Sequence, residues 1–273
     1  YRGEAFANIG RLLRPGLRLD MNLTYEASRL KVTGDTQAQR SLRFLKPKVA
    51  LDWRGKVWHA QVSVTRTVAQ LNFENFISVA DVGSERLNGG NAALVPQRAW
   101  EMLASVDRPI LGDGRIKLDI GYNFVEKVQD RVKVRDAIPA TPTAPAVPAL
   151  DAPGNLGDGS EFILRGNLDM SLGRVGIKGG RLSLYGAYER TSVLDPYTLR
   201  RRPFTGRELI EFSVTFRQDL GKFAWGVEME GETPWTNYRL DETDRFVEII
   251  PDTSVFAEYR PNAKWMFTVG ARN

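Results

Sequence analysis

From Leu17 the chain alternates, with Leu17, Leu19, Met21, Leu23, Tyr25 and Ala27 on one parity and Arg18, Asp20, Asn22, Thr24, Glu26 and Ser28 on the other. Successive side chains of a strand point to opposite faces, so this segment is a strand with one apolar and one polar face. The alternation returns along the whole chain. Its segments are joined in turn by very short turns and by long polar loops, which is the signature of a transmembrane β-barrel whose apolar parity meets lipid. The expected fold is all-β: an antiparallel transmembrane barrel wall over residues 1–273, read as one domain because no composition break separates two cores.

Composition agrees with such a wall. Hydrophobic residues make up 42% of the chain, and no stretch approaches the roughly 18 to 20 consecutive apolar residues that a membrane helix needs. A barrel conceals its apolar surface by alternation, so a mean hydropathy of -0.32 is expected. The absence of cysteine excludes a disulfide, a thiolate nucleophile and a cysteine metal site. The net charge of +5 does not mark a nucleic-acid partner, since Lys and Arg alternate with Asp and Glu along strands and loops.

A weak first strand with Gly3, Ala5, Ala7 and Ile9 turns at Arg14-Pro15-Gly16, and the long second strand runs to about Thr33. A polar stretch from Gly34 to about Lys46 precedes a strand with Val49, Leu51 and Trp53. The Arg54-Gly55-Lys56 turn leads to Trp58, Ala60, Val62 and Val64. After a loop from about Asn72 to Arg98 come Trp100, Met102, Ala104 and Val106, with Leu103 breaking the pattern, a turn at Gly112-Asp113-Gly114, and Ile116 to Phe124. From Asp136 to Ser160 prolines 139, 142, 145 and 148 recur every third residue, which predicts an extended polyproline II loop, mobile and external.

The second half repeats the scheme, with turns near Gly176, Leu220-Gly221-Lys222 and Pro261-Asn262-Ala263, loops around Asp195 to Gly206 and Trp235 to Val247, and a last strand carrying Trp265, Phe267, Val269 and Ala271. The pass gives about twelve strands. Short turns of outer-membrane barrels face the periplasm and long loops the outside. Trp53, Trp58, Trp225 and Trp265 then fall near the periplasmic turns, where an aromatic girdle lies.

The segment from Asn88 to Glu101, with Asn91, Leu94, Pro96 and Gln97 in order, resembles the Asn-Pro-x-Leu-x-Pro-Glu motif that precedes a descending strand in TonB-dependent outer-membrane receptors. Ala92 stands for the usual proline and Gln97 for the glutamate. The ending, Tyr259-Arg-Pro-Asn262 and Phe267 to Asn273, is similar to their late-barrel segment. The resemblance implies that these strands are part of a barrel of about 22, with a plug domain and the last strand or so lying outside residues 1–273. It implies energised uptake of a scarce nutrient such as a siderophore, cobalamin or glycan, with coupling to the TonB complex through the plug. Outer-membrane lipid and lipopolysaccharide are the other implied partners, the outer membrane of a Gram-negative bacterium is the location, and no cofactor is implied.

A stand-alone porin-like channel and a 12-strand outer-membrane enzyme are the alternatives. For the enzyme the candidate base is His59, yet Ser63 on the same face lies roughly 13 Å away along the strand, too far for a hydrogen-bonded pair. The acidic cluster Asp241-Glu242-Thr243-Asp244 is a candidate cation site that reads first as a solvated loop. Arg200-Arg201-Arg202 reads as a solvated external loop, with lipopolysaccharide phosphate as its alternative partner. For ligand capture the resemblance directs attention to aromatic and basic residues of the external loops: Phe76, Tyr197, Trp235, Tyr238 and Arg239.

Overall fold

The computed structural model describes residues 1–32, 38–71, 76, 79–81, 86–88, 90–91 and 93–273. Twelve strands form one continuous path in sequence order, each antiparallel to the next. They are β1 (Arg2–Arg14), β2 (Leu17–Val32), β3 (Ala38–Arg54), β4 (His59–Val68), β7 (Arg98–Ile110), β8 (Gly114–Glu126), β11 (Gly159–Ser171), β12 (Gly180–Leu194), β14 (Ile210–Leu220), β15 (Phe223–Glu232), β18 (Asp252–Asn262) and β19 (Trp265–Arg272). The two-residue β13 (Arg201–Arg202) pairs with the end of β12. Three hairpins stand off the wall at the long-loop end: β5 (Val79–Asp81) with β6 (Arg86–Asn88), β9 (Gln129–Arg135) with β10 (Leu150–Asn155), and β16 (Trp235–Tyr238) with β17 (Thr243–Phe246).

From β2 to β18 register carries the two faces from strand to strand without a slip, while β1–β2 and β18–β19 each shift next to their turn. One row reads Leu19, Leu51, Val62, Ala104, Ile120, Leu164, Tyr188 and Ile210. Its neighbour on the other face reads Arg18, Asp52, Gln61, Ser105, Asp119, Arg165, Ala187 and Glu211. A slip of one residue would mix the two, so register is specified wherever one face meets lipid. The apolar row begins near the Pro15 turn and ends where β14 opens at the long-loop end. That climb is the stagger that tilted barrel strands require. Met21, Leu23, Val62, Ile120 and Phe267 stand exposed on the apolar face, as a lipid-facing surface demands.

The opposite face is laced by ion pairs. Lys46 Nζ donates to Glu4 at 2.7 Å and to the buried Glu26 at 2.8 Å. His59 is held between Asp52 at 2.6 Å and Asp107 at 2.9 Å, and Arg115 meets Asp107 at 2.9 Å. Arg165 pairs with Glu189, Arg181 with Asp169, and Arg217 with Glu258. Paired charges suit an interior face where isolated ones would carry a desolvation cost. Leu103 points to this face as well, against Gly121 and near Ile163, forming a small apolar patch.

Turn chemistry fixes the short connections. Gly16 has φ +77°, and a Cβ there would come within 2.4 Å of the Arg54 carbonyl oxygen. Gly179, at φ +70°, would meet the Asp219 carbonyl oxygen at 2.0 Å. Both glycines let neighbouring turns touch at the periplasmic rim.

Three expectations are corrected. The third strand begins at Ala38 rather than after Lys46, because Ala38 to Pro47 pairs with β2 alone. Pro47, lacking an N–H, sits where the β3–β4 ladder stops. The beginning of the polar stretch at Gly34 lies outside the described residues. The polar span from Trp235 to Val247 is a hairpin rather than an open loop, with Trp235 paired to Phe246.

The proline segment is also a hairpin and not polyproline II. Ile138 and Val147 exchange hydrogen bonds of 2.8 Å, and Thr141 and Ala144 pair inside them. Each of these four residues immediately precedes a proline. A following proline drives its predecessor into the extended region, so the period of three supplies paired extended residues and places the donor-less nitrogens off the ladder.

Candidate functional site in the external cap

At the long-loop end three connections are knitted into one cap by two buried carboxylates. The Asp130 side chain, 1% exposed, accepts from Arg202 Nη1 at 2.9 Å and from Thr205 Oγ1 at 2.8 Å. Arg202 also reaches Asp195 at 2.9 Å and lies 4.1 Å over the Tyr238 ring. One guanidinium thereby joins β9, the β12–β14 connection and β16. The second carboxylate, Asp151 on β10, meets Arg131 at 3.1 Å, Arg239 at 3.7 Å and the Leu240 N–H at 3.3 Å.

Asp195 organises its own turn, accepting from the backbone N–H groups of Tyr197 at 2.8 Å and Thr198 at 3.0 Å. Burial pushes its pKa upward, but the Thr198 N–H, the Arg202 guanidinium and the Tyr197 N–H outweigh burial and hold the carboxyl below its ordinary value. Beneath the cap Ala99, Val125, Val128 and Val193 form a small apolar core with Leu156 and Phe204 against it.

The segment before β7 is docked on the β9–β10 hairpin. Asn91 donates to the Pro153 carbonyl at 2.9 Å, and Asn155 both accepts from the Val95 N–H and donates to its carbonyl, each at 3.0 Å. Gln97 accepts from the Gln129 N–H at 2.8 Å, and Leu94 is fully buried. Asn91, Leu94 and Gln97 therefore anchor the descent of β7. Ala92 and Gly89, as well as the start of the loop at Asn72, lie outside the described residues.

The structure brings four of the five sequence-derived ligand residues into this cap. Tyr238 and Arg239 join it through the pairs above. Tyr197 accepts the Lys133 N–H at 2.6 Å on its hydroxyl. Trp235 stacks on Phe246 at 4.1 Å, donates to Glu232 at 2.8 Å, and borders a hollow of about 350 Å³ with Arg190, Arg201 and Arg207. Phe76 is 2% exposed and so presents no open face for a ligand.

Sequence reasoning missed Asp130, Asp151 and Asp195, which hold the cap. It also treated Arg200 to Arg202 as one solvated run. Arg202 is instead turned inward with Val193, and Arg201 lies opposite Leu194 on the lipid-facing parity. Alternation across the two-residue β13 was the available signal.

The other candidates lie elsewhere. His59 belongs to the periplasmic rim with its two aspartates, while Ser63 faces Ala50 and Leu103 on the neighbouring strands. Asp244 pairs with Asn237 across the β16–β17 hairpin, and Arg239 N–H donates to the Glu242 carbonyl at 2.9 Å. Among the described residues no group of three or more His, Cys, Asp or Glu is placed to hold a metal ion.

No protein-family model matches the chain, and no curated protein matches it by sequence. Solved structures do. Over 100% of its length the chain is similar to the copper transporter OprC, with a TM-score of 0.73 at 11% identity, covering 41% of that protein. It is similar over 100% of its length to the FrpB iron transporter from Neisseria meningitidis, with a TM-score of 0.67 at 13% identity and 41% of that protein covered. A mutant of the ferric enterobactin receptor PfeA from Pseudomonas aeruginosa gives a TM-score of 0.65 at 11% identity, with 100% of this chain and 39% of that one covered. The chain thus spans about two-fifths of the length of the receptors it matches. At such identities the likeness is one of fold, and the fold of this chain is that of the outer-membrane β-barrel wall of TonB-dependent receptors.

Proposed function

We propose that this wall belongs to an outer-membrane receptor that takes up a scarce nutrient against a gradient, with energy supplied through TonB and with the external cap as the ligand's landing surface. The observation that carries the reading is the match, over the whole of this chain and about two-fifths of theirs, to a ferric enterobactin receptor and to iron and copper transporters, a fold-level analogy to which the cap adds residues. Tyr197, Trp235, Tyr238 and Arg239 offer rings and a cation suited to a chelate or other polar nutrient. The plug and the remaining strands, on this reading, are parts of the receptor outside residues 1–273.

The test is uptake by cells carrying or lacking the full receptor gene, assayed with ferric siderophores and copper as probes, before and after a protonophore collapses the membrane potential. Receptor-dependent uptake that stops with the protonophore supports the reading. Receptor-dependent flux that continues unchanged favours a passive channel. Alanine at Tyr238 or Trp235 should weaken probe binding to the purified receptor, while Ser213→Ala on the interior wall should not.

A further inference from the structure

At the periplasmic rim β4 begins at His59, which closes two ladders at once, lying opposite Arg54 on β3 and Asp107 on β7. Strand ends open first unless side chains hold them. Here five side chains form a line. Asp52, diagonal to His59 across the β3–β4 pair, gives one oxygen to His59 Nε2 at 2.6 Å and the other to Arg54 Nε at 3.1 Å. Asp107 does the same from the other side, with one oxygen 2.9 Å from His59 Nδ1 and the other 2.9 Å from Arg115. The line Arg54–Asp52–His59–Asp107–Arg115 thereby ties β3, β4, β7 and β8 together across the interior face.

A neutral imidazole has one N–H and one bare nitrogen, and an ionised carboxylate only accepts. A bare nitrogen against either aspartate would set two acceptors face to face. Each aspartate is kept ionised by its own guanidinium, which does not release a proton. Both protons of the two contacts therefore belong to His59, one on each ring nitrogen.

The neighbouring charges do not replace this cation. On β2, Arg18 lies opposite Asp52 but is engaged with Asp20 at 2.8 Å. On β8, Lys117 lies opposite Asp107 but reaches Asp119 at 2.8 Å. Gln61, the next interior residue of β4, is neutral. The side chains of Arg54 and Arg115 are 75% and 62% exposed, so water screens them, whereas those of Asp52 and Asp107 are 16% and 12% exposed. Among the described residues His59 is the one cation lying between the two carboxylates. Because they sit on different ring nitrogens, the three groups do not converge on a point where a metal ion could be held.

We propose that His59 is a proton-loaded clamp on the periplasmic mouth of the wall, fastening β3 and β7 to β4 while charged and releasing one of them when its proton passes to water. The released carboxylate then faces a lone pair, and the end of its ladder opens. The clamp belongs to the wall itself, so it stands or falls separately from the uptake reading.

The test uses the full-length protein, folded in detergent micelles and labelled with nitrogen-15 histidine. The ring signal lost in His59→Gln identifies the residue. Heat-modifiable migration checks folding, and Asp107→Asn, which should shift the same signal toward the neutral form, replaces that variant if it fails to fold. At about pH 7.5, where an ordinary imidazole is roughly nine-tenths neutral, both nitrogens of His59 should give the protonated signature. A bare ring nitrogen at that pH overturns the clamp. Hydrogen exchange of amides 60–62 and 104–107, corrected for intrinsic rates, supplies the second readout. Opening in wild type should rise about tenfold or more from about pH 6 to about pH 9, the scale of one charged hydrogen bond. His59→Arg, whose cation keeps its proton, should stay closed over that range, and His59→Gln should be open throughout. Opening in wild type that does not change with pH overturns the proposal, and so does an equal rise in wild type and His59→Arg.

Discussion

The barrel wall and the external cap are held by different physics. In the wall a residue's role follows from its parity, since every second side chain faces lipid and the backbone ladder satisfies its own donors and acceptors. In the cap, cohesion is concentrated in a few buried charges, above all Arg202 between Asp130 and Asp195. The wall should therefore respond to a substitution according to the face it strikes, and the cap according to the individual residue.

The sharpest way to break this contrast is Arg202→Ala. It leaves two carboxylates, Asp130 nearly enclosed, without their shared cation, and removing one member of a buried pair costs about 3–5 kcal/mol. Hydrogen exchange on the full-length protein should show β9, β10 and the β12–β14 connection opening by an amount of that order while amides of β8 and β11 stay protected. Equal protection of the cap would mean that its cohesion lies elsewhere.

The wall's counterpart is a pair of neighbours. Leu23→Arg places a charge on the lipid face near mid-membrane and should cost ~2–4 kcal/mol in a reversible folding titration. Asn22→Ser, one residue away on the interior face, should stay within about 0.5 kcal/mol. Similar costs at the two positions would undo the assignment of faces.

Acid provides a milder test. Asp195 has a folded pKa below its ordinary 3.8, so its contribution is full above that value and is lost as pH falls through the lower folded value. Cap opening, corrected for intrinsic exchange rates, should rise below about pH 4, and the rise should be smaller in Asp195→Asn. A rise of the same size in the variant would assign the acid response to other groups. The smallest effect should come from cutting the proline hairpin. Among the described residues its tip pairs with itself, through Ile138 with Val147 and Thr141 with Ala144. Protease added to intact cells should cleave it without altering heat-modifiable migration, whereas cleavage only from the periplasmic side would invert the topology.

The division between wall and cap is also the division between what could and could not be read from the sequence. Alternation exposed the two faces, and short turns with glycine at positive φ, as at Gly16, marked one end. The hairpins escaped because their signals are non-local or ambiguous. The proline period of three reads as polyproline II until the residues preceding the prolines are seen to pair, and the β3 start is hidden by the polar side chains of Gln39, Arg40 and Ser41. The contact between Asp130 and Arg202 spans the whole of β11 and β12, and no local pattern announces it. Aromatic residues such as Tyr238 could be picked from the sequence, but their partners could not.

Lipid accessibility bears most directly on the two-faced wall. Spin labels placed singly at Leu23, Ile120 and Val227, and at Asn22, Asp119 and Glu228, in the full-length protein reconstituted in liposomes, can be challenged with oxygen dissolved in the bilayer and with a water-soluble relaxant. The first three sites should show the greater collision rate with oxygen and the second three with the aqueous relaxant. Greater oxygen access at Asn22, Asp119 and Glu228 would contradict the outward apolar face and the barrel built on it.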